Sequence, residues 1–519
     1  VDYFEEFIQE IVLGRVASRS DVHRLKSELC KKYGVSRVPA NHEILEHVTD
    51  ECRDLVEPFL RNKPVRTMSG VAPVAVMTSP YDCPHGRCTY CPGGTRSNTP
   101  QSYTGHEPAA LRGSMYSFDP FNQAKNRLDQ LRAIGHPTDK VDLIIMGGTF
   151  TARPDDYQEW FVRRCFDAMN GCESDSLVDA HRKNESAKRR CVGLTVETRP
   201  DWFEAAQVSR AMSLGATKVE LGVQILDDDV LDGVKRGHHV KEVVDSTRRA
   251  KDAGLKVAYH MMPGLPGSTP EKDLASFRTM LEDERFRPDM LKIYPTLVVK
   301  GTELYDQWQQ GSYTPMSLEE TVDLLAKVKA GIPPWVRILR IQRDIPVKLI
   351  EDGVRKSHLR ELVLARLERD GSRCRCIRCR EIGHIHKGSE ATDESDVELK
   401  SIQYSASGGV EHFLSFEIPS MDALVGYARL RIPGATAAGA GLVRELHIYG
   451  QMVPISREPG ANWQHKGFGE RLLAECEVIA SGAGLRELRV TSGVGAREYY
   501  RRLGYTYESP YMTKAIAAR

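Results

Sequence analysis

The sequence predicts an α/β protein: a partial parallel (β/α) barrel, preceded by a helical segment and followed, across a cysteine-rich linker, by a second and smaller α/β domain. Three observations predict it. Six short runs between residues 70 and 298 are apolar on both faces; helix-length segments separate them; and beyond residue 400 longer alternating strands surround a glycine turn.

At 519 residues the chain exceeds what one hydrophobic core organises, so several domains are expected. Apolar residues make up 41% and charged residues 28%, and mean hydropathy is -0.40, the ordinary range of water-soluble proteins. No run approaches the ~20 apolar residues of a spanning helix. The N-terminal VDYFEEFIQEIVLG mixes acids among its apolar positions where a signal peptide carries a basic stretch, so no membrane association and a cytoplasmic location are expected. A net charge of +1 gives no global attraction for a polyanion, and nucleic-acid binding has to rest on local patches.

Residues 1–65 carry a helical apolar pattern, with Phe4, Ile8, Ile11 and Val12, then Leu25 and Leu29, then Ile44, Leu45 and Val48, which predicts three short helices. They serve either as a structural cap or as an accessory substrate-binding element for tRNA. In residues 66–340 the runs VAPVAVMT, VDLIIMGG, CVGLTVET, KVELGVQ, LKVAYHMM and MLKIYPTL alternate with helical stretches at 120–134, 155–169, 201–214, 240–253 and 270–283. Functional residues are then expected at the C-terminal strand ends. Residues 341–400 form the linker, within a stretch (337–380) holding 13 Lys and Arg against 6 Asp and Glu. Residues 401–519 read as strands FLSFEI, ALVGYARLRI and GLVRELHIYG, a helix at 469–481, a strand ELRVTS and a helix at 496–503.

Two cysteine triplets in a chain of 12 cysteines suggest metal ligation more than disulfides. Cys83, Cys88 and Cys91, in YDCPHGRCTYCPGG, follow the first predicted strand. Three thiolates hold three corners of a four-iron cluster and leave one iron open to chelate the amino and carboxylate groups of S-adenosylmethionine (SAM); a zinc ion with His85 as fourth ligand is the alternative. MGGTF ends the next strand, where Gly147 and Gly148 let backbone carbonyls approach an ammonium group. In CRCIRC, Cys374, Cys376 and Cys379 have the density of a closed zinc site, with His358, His384 or His386 as fourth ligand and a second iron–sulfur cluster as the competing reading. The interleaved Arg373, Arg375, Arg378 and Arg380 suit bidentate phosphate contacts. Lys292, Tyr294 and Lys300 end the last predicted barrel strand and are candidates to line a central cavity.

The glycine turn Gln464-His465-Lys466-Gly467-Phe468-Gly469 opens a helix, and backbone N–H groups in that setting make a pyrophosphate site. It is followed by REYYRRLGY, and the two together resemble the GNAT acetyltransferase signature, which makes Tyr499 and Tyr500 candidates to protonate a thiolate leaving group; consecutive helical residues face different ways, so one of the pair is expected in the core. Glu445 and His447 lie on the preceding strand and are candidates to assist.

The cysteine loop, at a spacing of four residues then two, and the MGGTF strand end resemble the radical SAM superfamily, in a branch with one residue more than the commonest spacing. That resemblance implies that Glu197, Arg199 and Gln224 and the MMPGLPG turn complete the SAM pocket. The glycine turn and the tyrosine pair resemble the GNAT acetyltransferases, which implies acetyl-CoA with its pyrophosphate at residues 464–469. The pairing of both, together with LKIYPTLVVKGTELY, CRCIRCREIG and VRELHIYG, resembles the family of Elongator catalytic subunits in a single-chain prokaryotic form. That family implies carboxymethyl-type modification at carbon 5 of the wobble uridine of tRNA, by a 5′-deoxyadenosyl radical that abstracts hydrogen from the methyl of an acetyl group. The implied catalytic set is Tyr499, Tyr500, Lys292 and Glu445. The implied partners are the tRNA anticodon stem-loop, acetyl-CoA and SAM, with a homodimer or accessory subunits as a further option. A protein lysine acetyltransferase and a non-catalytic tRNA-binding scaffold are the rival functions; the first leaves the Cys83 loop without a purpose, and the second leaves both cofactor motifs without one.

Overall fold

The computed structural model describes residues 2–49, 51–63, 66–385, 396–434, 439–449 and 467–517. Four helices, not three, build the N-terminal unit: Tyr3–Val12, Arg19–Tyr33, Asn41–Glu46 and Arg53–Leu60. Asp2 and Glu5 close a capping box at the first, and Ser18 with Asp21 at the second. The first helix buries Tyr3, Phe7 and Ile11. The expected Phe4–Ile8 face is rotated by one residue and leaves Val12 exposed, because the i, i+4, i+8 row carries the larger aromatic area.

The central sheet has seven parallel strands in order: β1 (Ala72–Met77), β2 (Lys140–Met146), β3 (Arg190–Thr198), β4 (Lys218–Gln224), β5 (Lys256–Met261), β6 (Met290–Ile293) and, after the two-residue β7 (Val298–Val299), β8 (Arg337–Arg340). The crossover helices pack outside it, and β1 and β8 are its free edges, so the barrel is partial. The strand β8 was not among the six expected: RILR places arginines at both ends and buries only Ile338 of its four residues, so it lacks the apolar run of a central strand. A short strand β9 (Ile350–Asp352) pairs with β7.

The C-terminal sheet runs β10 (Glu398–Ala406), β11 (Gly409–Ile418), β12 (Ala423–Ile432), β13 (Ala440–Ile448), β14 (Glu487–Val490), β16 (Tyr511–Ala515) and β15 (Thr506–Glu508). All pairs are antiparallel except β13 with β14, which run parallel for only four residues, Ala440–Val443 against Glu487–Val490. Beyond Val443 the two strands part, and the helix Phe468–Gly482 packs over β12 and β13. This splayed sheet is the GNAT-type arrangement expected of the region.

The segment between the sheets is not an independent spacer. Leu359, Val363, Leu367, Cys374 and Cys376 belong to the barrel core, whereas Ile377 and Ile382 belong to the C-terminal core. The two domains meet over a buried ionic seam. Arg444 and Arg429 reach Asp289 and Arg431 reaches Asp252 across it, while Glu411 and Glu445 hold the same arginines from within the C-terminal sheet. A second contact is steric: a turn at Val494–Ala496 presses on the start of β3, where a Cβ on Gly493 would stand 2.2 Å from the Val192 carbonyl oxygen and one on Gly495 would stand 2.4 Å from Arg190 Cβ. Among the described residues no helix is long and apolar enough to cross a membrane.

Candidate functional site

The loop after β1 carries Cys83, Cys88 and Cys91 to the C-terminal mouth of the barrel, where they open on a cavity of about 520 Å³. Cys88 and Cys91 are buried, and Cys83 lies 3.4 Å from Thr149 Oγ1. All three line the same cavity wall, where three thiols suit three corners of a polynuclear cluster.

His85 stands against the second cysteine of the loop. Arg199 donates to its Nδ1, so the proton sits on Nε2, which points at Cys88 Sγ 3.2 Å away. Burial, then Arg199 and Arg236, press its pKa down to about 3, so the ring is neutral. Burial pushes the Cys91 thiol up to about 11 and raises Cys83 as well. Arg236 places Nη1 3.7 Å from Cys88 Sγ and donates to the Gly222 carbonyl at 2.6 Å.

Behind the cysteines lie the strand ends. Gly147 has φ 132°, and a Cβ there would stand 1.9 Å from Thr78 Oγ1; Gly148 has φ 93° and faces Cys83. Only glycine leaves this cradle open. Glu197 accepts a 2.8 Å hydrogen bond from the Tyr103 hydroxyl. Gln224 is held at φ 75° with its Oε1 buried and without a partner, as a group that awaits a donor does. The MMPGLPG turn contributes Met262 to the lining.

Lys292 is buried in an ion pair with Glu220, with Glu197 at 3.8 Å; Glu220 also takes His260 Nε2 at 3.0 Å. Burial opposes the Lys292 charge, but Glu220, Tyr294 and Glu197 outweigh it and hold its pKa above the usual range. Tyr294 lines the cavity edge-on to His260, whereas Lys300 is exposed and pairs with Glu351 at 3.4 Å. Sequence reasoning missed Glu220, His260, Arg236 and Tyr103. A lone acid inside KVELGVQ was a readable signal for the first; the others sit in a strand or loops without one.

Cys374, Cys376 and Cys379 converge beside Lys329, whose Nζ is 3.2 Å from Cys374 Sγ. Neither His358 nor His384 joins them, and His386 lies outside the described residues. The four flanking arginines do not form one phosphate platform. Arg380 is buried against Glu417 and Asp422, and Arg373 and Arg375 both turn toward Asp422.

In the C-terminal domain Gln464, His465 and Lys466 lie outside the described residues. Gly467, at φ 79°, leads into the helix that begins at Phe468, and a Cβ on Gly469 would stand 2.7 Å from the Tyr499 hydroxyl. Tyr499 is half-buried, and burial with Glu470 raises its pKa to about 12. Tyr500 points the other way, into the core beside Tyr505. Glu445 and His447 follow the point where β13 leaves β14. Glu445 is tied to Arg429 at 2.8 Å, and His447 Nε2 donates to the Ser69 carbonyl at 2.8 Å.

Residues 78–278 match the radical SAM superfamily, 288–369 the radical SAM C-terminal domain, and 1–68 the ELP3 N-terminal domain. The chain is 47% identical over 525 residues to a tRNA uridine(34) acetyltransferase of Methanocaldococcus jannaschii, covering 99% of this chain and 97% of that protein. It is 43% identical over 511 residues to human Elongator complex protein 3, covering 96% and 93%. Among solved structures it is similar to the archaeal Methanocaldococcus infernus Elp3 with an N-terminal deletion, at 45% identity and a TM-score of 0.77, covering 87% of this chain and all of that one.

Proposed function

Because this chain belongs to the Elp3 family of radical SAM tRNA uridine(34) acetyltransferases, we infer that it joins an acetyl unit from acetyl-CoA to carbon 5 of the wobble uridine, giving carboxymethyl-type uridine. It is an enzyme, and its substrates include tRNA. The observation that carries the finer reading is the cavity lined by Cys83, Cys88 and Cys91 together with Gly148 at the end of β2.

The donor set fits a four-iron cluster with bound SAM: three thiols on one cavity wall, Gly148 beside Cys83, and the unpartnered Gln224 Oε1. When bound, that pair supplies a carbon radical able to take hydrogen from an unactivated methyl group. The chain's own residues do the rest. Gly147 and Gly148 offer backbone acceptors, Glu197 and Gln224 orient polar groups, and Arg236 places a positive charge beside Cys88. Lys292, locked to Glu220, stays protonated and acts as a fixed cation in the barrel, not as a base.

At the other site Gly467, Phe468 and Gly469, with Gln464, His465 and Lys466, would receive the coenzyme pyrophosphate, and Tyr499 would donate a proton to the departing thiolate. Tyr499 suits that role better than Tyr500, since its hydroxyl faces the glycine turn and burial keeps it protonated. His447 fixes β13 to the Ser69 carbonyl ahead of β1, and Glu445 steadies Arg429 beside it. Cys374, Cys376 and Cys379 hold zinc in this reading, supported by their convergence within 4.8 Å.

The test is an anaerobic reaction of iron-reconstituted protein with SAM, acetyl-CoA, a reductant and tRNA, followed by mass spectrometry of nucleosides. Modified wobble uridine is expected from the native chain and none from Cys88→Ala. Undiminished product from Cys88→Ala would end the radical reading.

A further inference from the structure

The cavity in front of the cysteines extends along the inner side of β1 and β2 to the free β1 edge of the sheet, where Arg66, Arg112 and Arg127 line it. Each comes from a different stretch of chain: Arg66 precedes β1, Arg112 lies on the helix Pro108–Met115, and Arg127 on Pro120–Ala133. Arg112 donates to the Ala75 carbonyl at 2.8 Å, while its Nε is buried without a partner.

No carboxylate neutralises these three among the described residues. Burial and the neighbouring Arg127 bring the Arg112 pKa down to about 10, and burial with Arg66 lowers Arg127. Glu107, the acid on the same wall, spends its carboxylate on the Thr104 N–H at 2.9 and 3.1 Å. The other cavity arginines are supplied. Arg199 holds Asp201, Arg340 pairs with Asp344, and Arg343 donates to the Ser102 carbonyl. The buried arginines of the seam each face a carboxylate. Three mutually repelling guanidinium groups left without an acid, on the wall of a reaction cavity, have the makings of an anion site, and the planar forks of arginine match phosphate oxygens.

We propose that Arg66, Arg112 and Arg127 form a phosphate-binding site that holds a phosphodiester of the RNA strand next to the nucleotide placed in the cavity. The proposal rests on the reading above that a tRNA nucleotide enters there. A base drawn in front of the cysteines brings its flanking phosphates with it, and Arg66, Arg112 and Arg127 line the β1 end of the same cavity. A coenzyme phosphate is the other source of the same chemistry, but the coenzyme pyrophosphate has its own glycine turn at residues 464–469.

The experiment uses the full chain with its iron restored and a fluorescent anticodon stem-loop RNA, with binding followed by anisotropy across a range of salt. For Arg66→Gln/Arg127→Gln the slope of log affinity against log salt should fall by about 0.7, the share of one phosphate contact on a single strand. At near-physiological salt the affinity should fall about tenfold. Arg127→Lys should recover most of the slope, which separates lost charge from lost packing. A control pair far from the cavity, Arg182→Gln/Lys183→Gln, should leave the slope unchanged. An unaltered slope in the arginine variant, or an equal loss in the control, overturns the site. A loss of acetyl-CoA affinity with RNA binding intact reassigns the phosphate to the coenzyme and overturns it too. If the native chain neither binds the RNA nor modifies tRNA, the functional reading itself fails; if the native chain does both and the variant matches it, only this site does.

Discussion

Arg444 of β13 and Asp289, the residue before β6, share two parallel hydrogen bonds of 2.7 Å across the seam between the sheets, with both side chains wholly buried. Asp289 Oδ2 also accepts from the Val257 N–H at 2.8 Å, so one carboxylate fixes β5, β6 and β13 together.

Arg444→Met should therefore take from Asp289 its two-bonded partner in a dry seam, leaving Lys251 and Arg429 at 3.7 and 3.5 Å. The expected loss of stability is ~3–5 kcal/mol, the cost of leaving a buried charge without its partner. Urea unfolding followed by tryptophan fluorescence would measure it, since Trp335 stacks on Tyr404 at 4.3 Å. A native-like midpoint would show the seam to be dispensable.

The same seam sets an acid limit. Burial alone would raise Asp289 and Glu411, but Arg444 and Lys251 outweigh it for both, and each carboxyl is held below its usual range. A carboxylate with a depressed folded pKa contributes stability above its unfolded value and loses it as pH falls through the folded one. Stability should hold from neutral pH to about 4 and decline below it. A decline beginning near pH 6 would point to another group.

Gly147→Ala should weaken SAM binding by about tenfold or more, some 1.4 kcal/mol, because the added methyl collides with Thr78 Oγ1 in a backbone geometry that L residues avoid. Iron content and the visible absorption of the cluster should survive. Calorimetric titration with SAM gives the answer, and unchanged affinity would remove the cradle from the pocket.

The two tyrosines should separate cleanly. Tyr499→Phe should slow acetyl-CoA turnover about 10²-fold, and Tyr500→Phe should leave it near native. Tyr500→Ala should instead cost ~3–5 kcal/mol of stability, as removal of a buried aromatic ring does. Thiol release and thermal unfolding, measured side by side, decide between the roles.

Much of this was legible in the sequence where burial and chemistry agree. Parallel strands buried on both faces appear as unbroken apolar runs, which is why β1 to β6 could be read directly, and the cysteine spacing announced its own loop. The seam was not legible for the converse reason. Arg429 and Arg431 alternate with apolar residues in β12, the signature of a strand with one wet face, and only the docked barrel turns that face into an interior. Tyr103 and Arg236 reach the cavity from loops, where no periodicity reports direction. The arginine pairings around Cys374 depend on Asp422, more than forty residues away, and a local charge count could not foresee them.

The turn at Val494–Ala496 grips the bottom of β3, and a few residues further on the same piece of chain presents Tyr499; the top of β3 presents Glu197. The nine residues of β3, at ~3.3 Å per residue, span roughly 26 Å from that grip to the strand's upper end. A rod held at its lower end by one domain and carrying Glu197 at its upper end ties the stiffness of the barrel mouth to the docking of its neighbour.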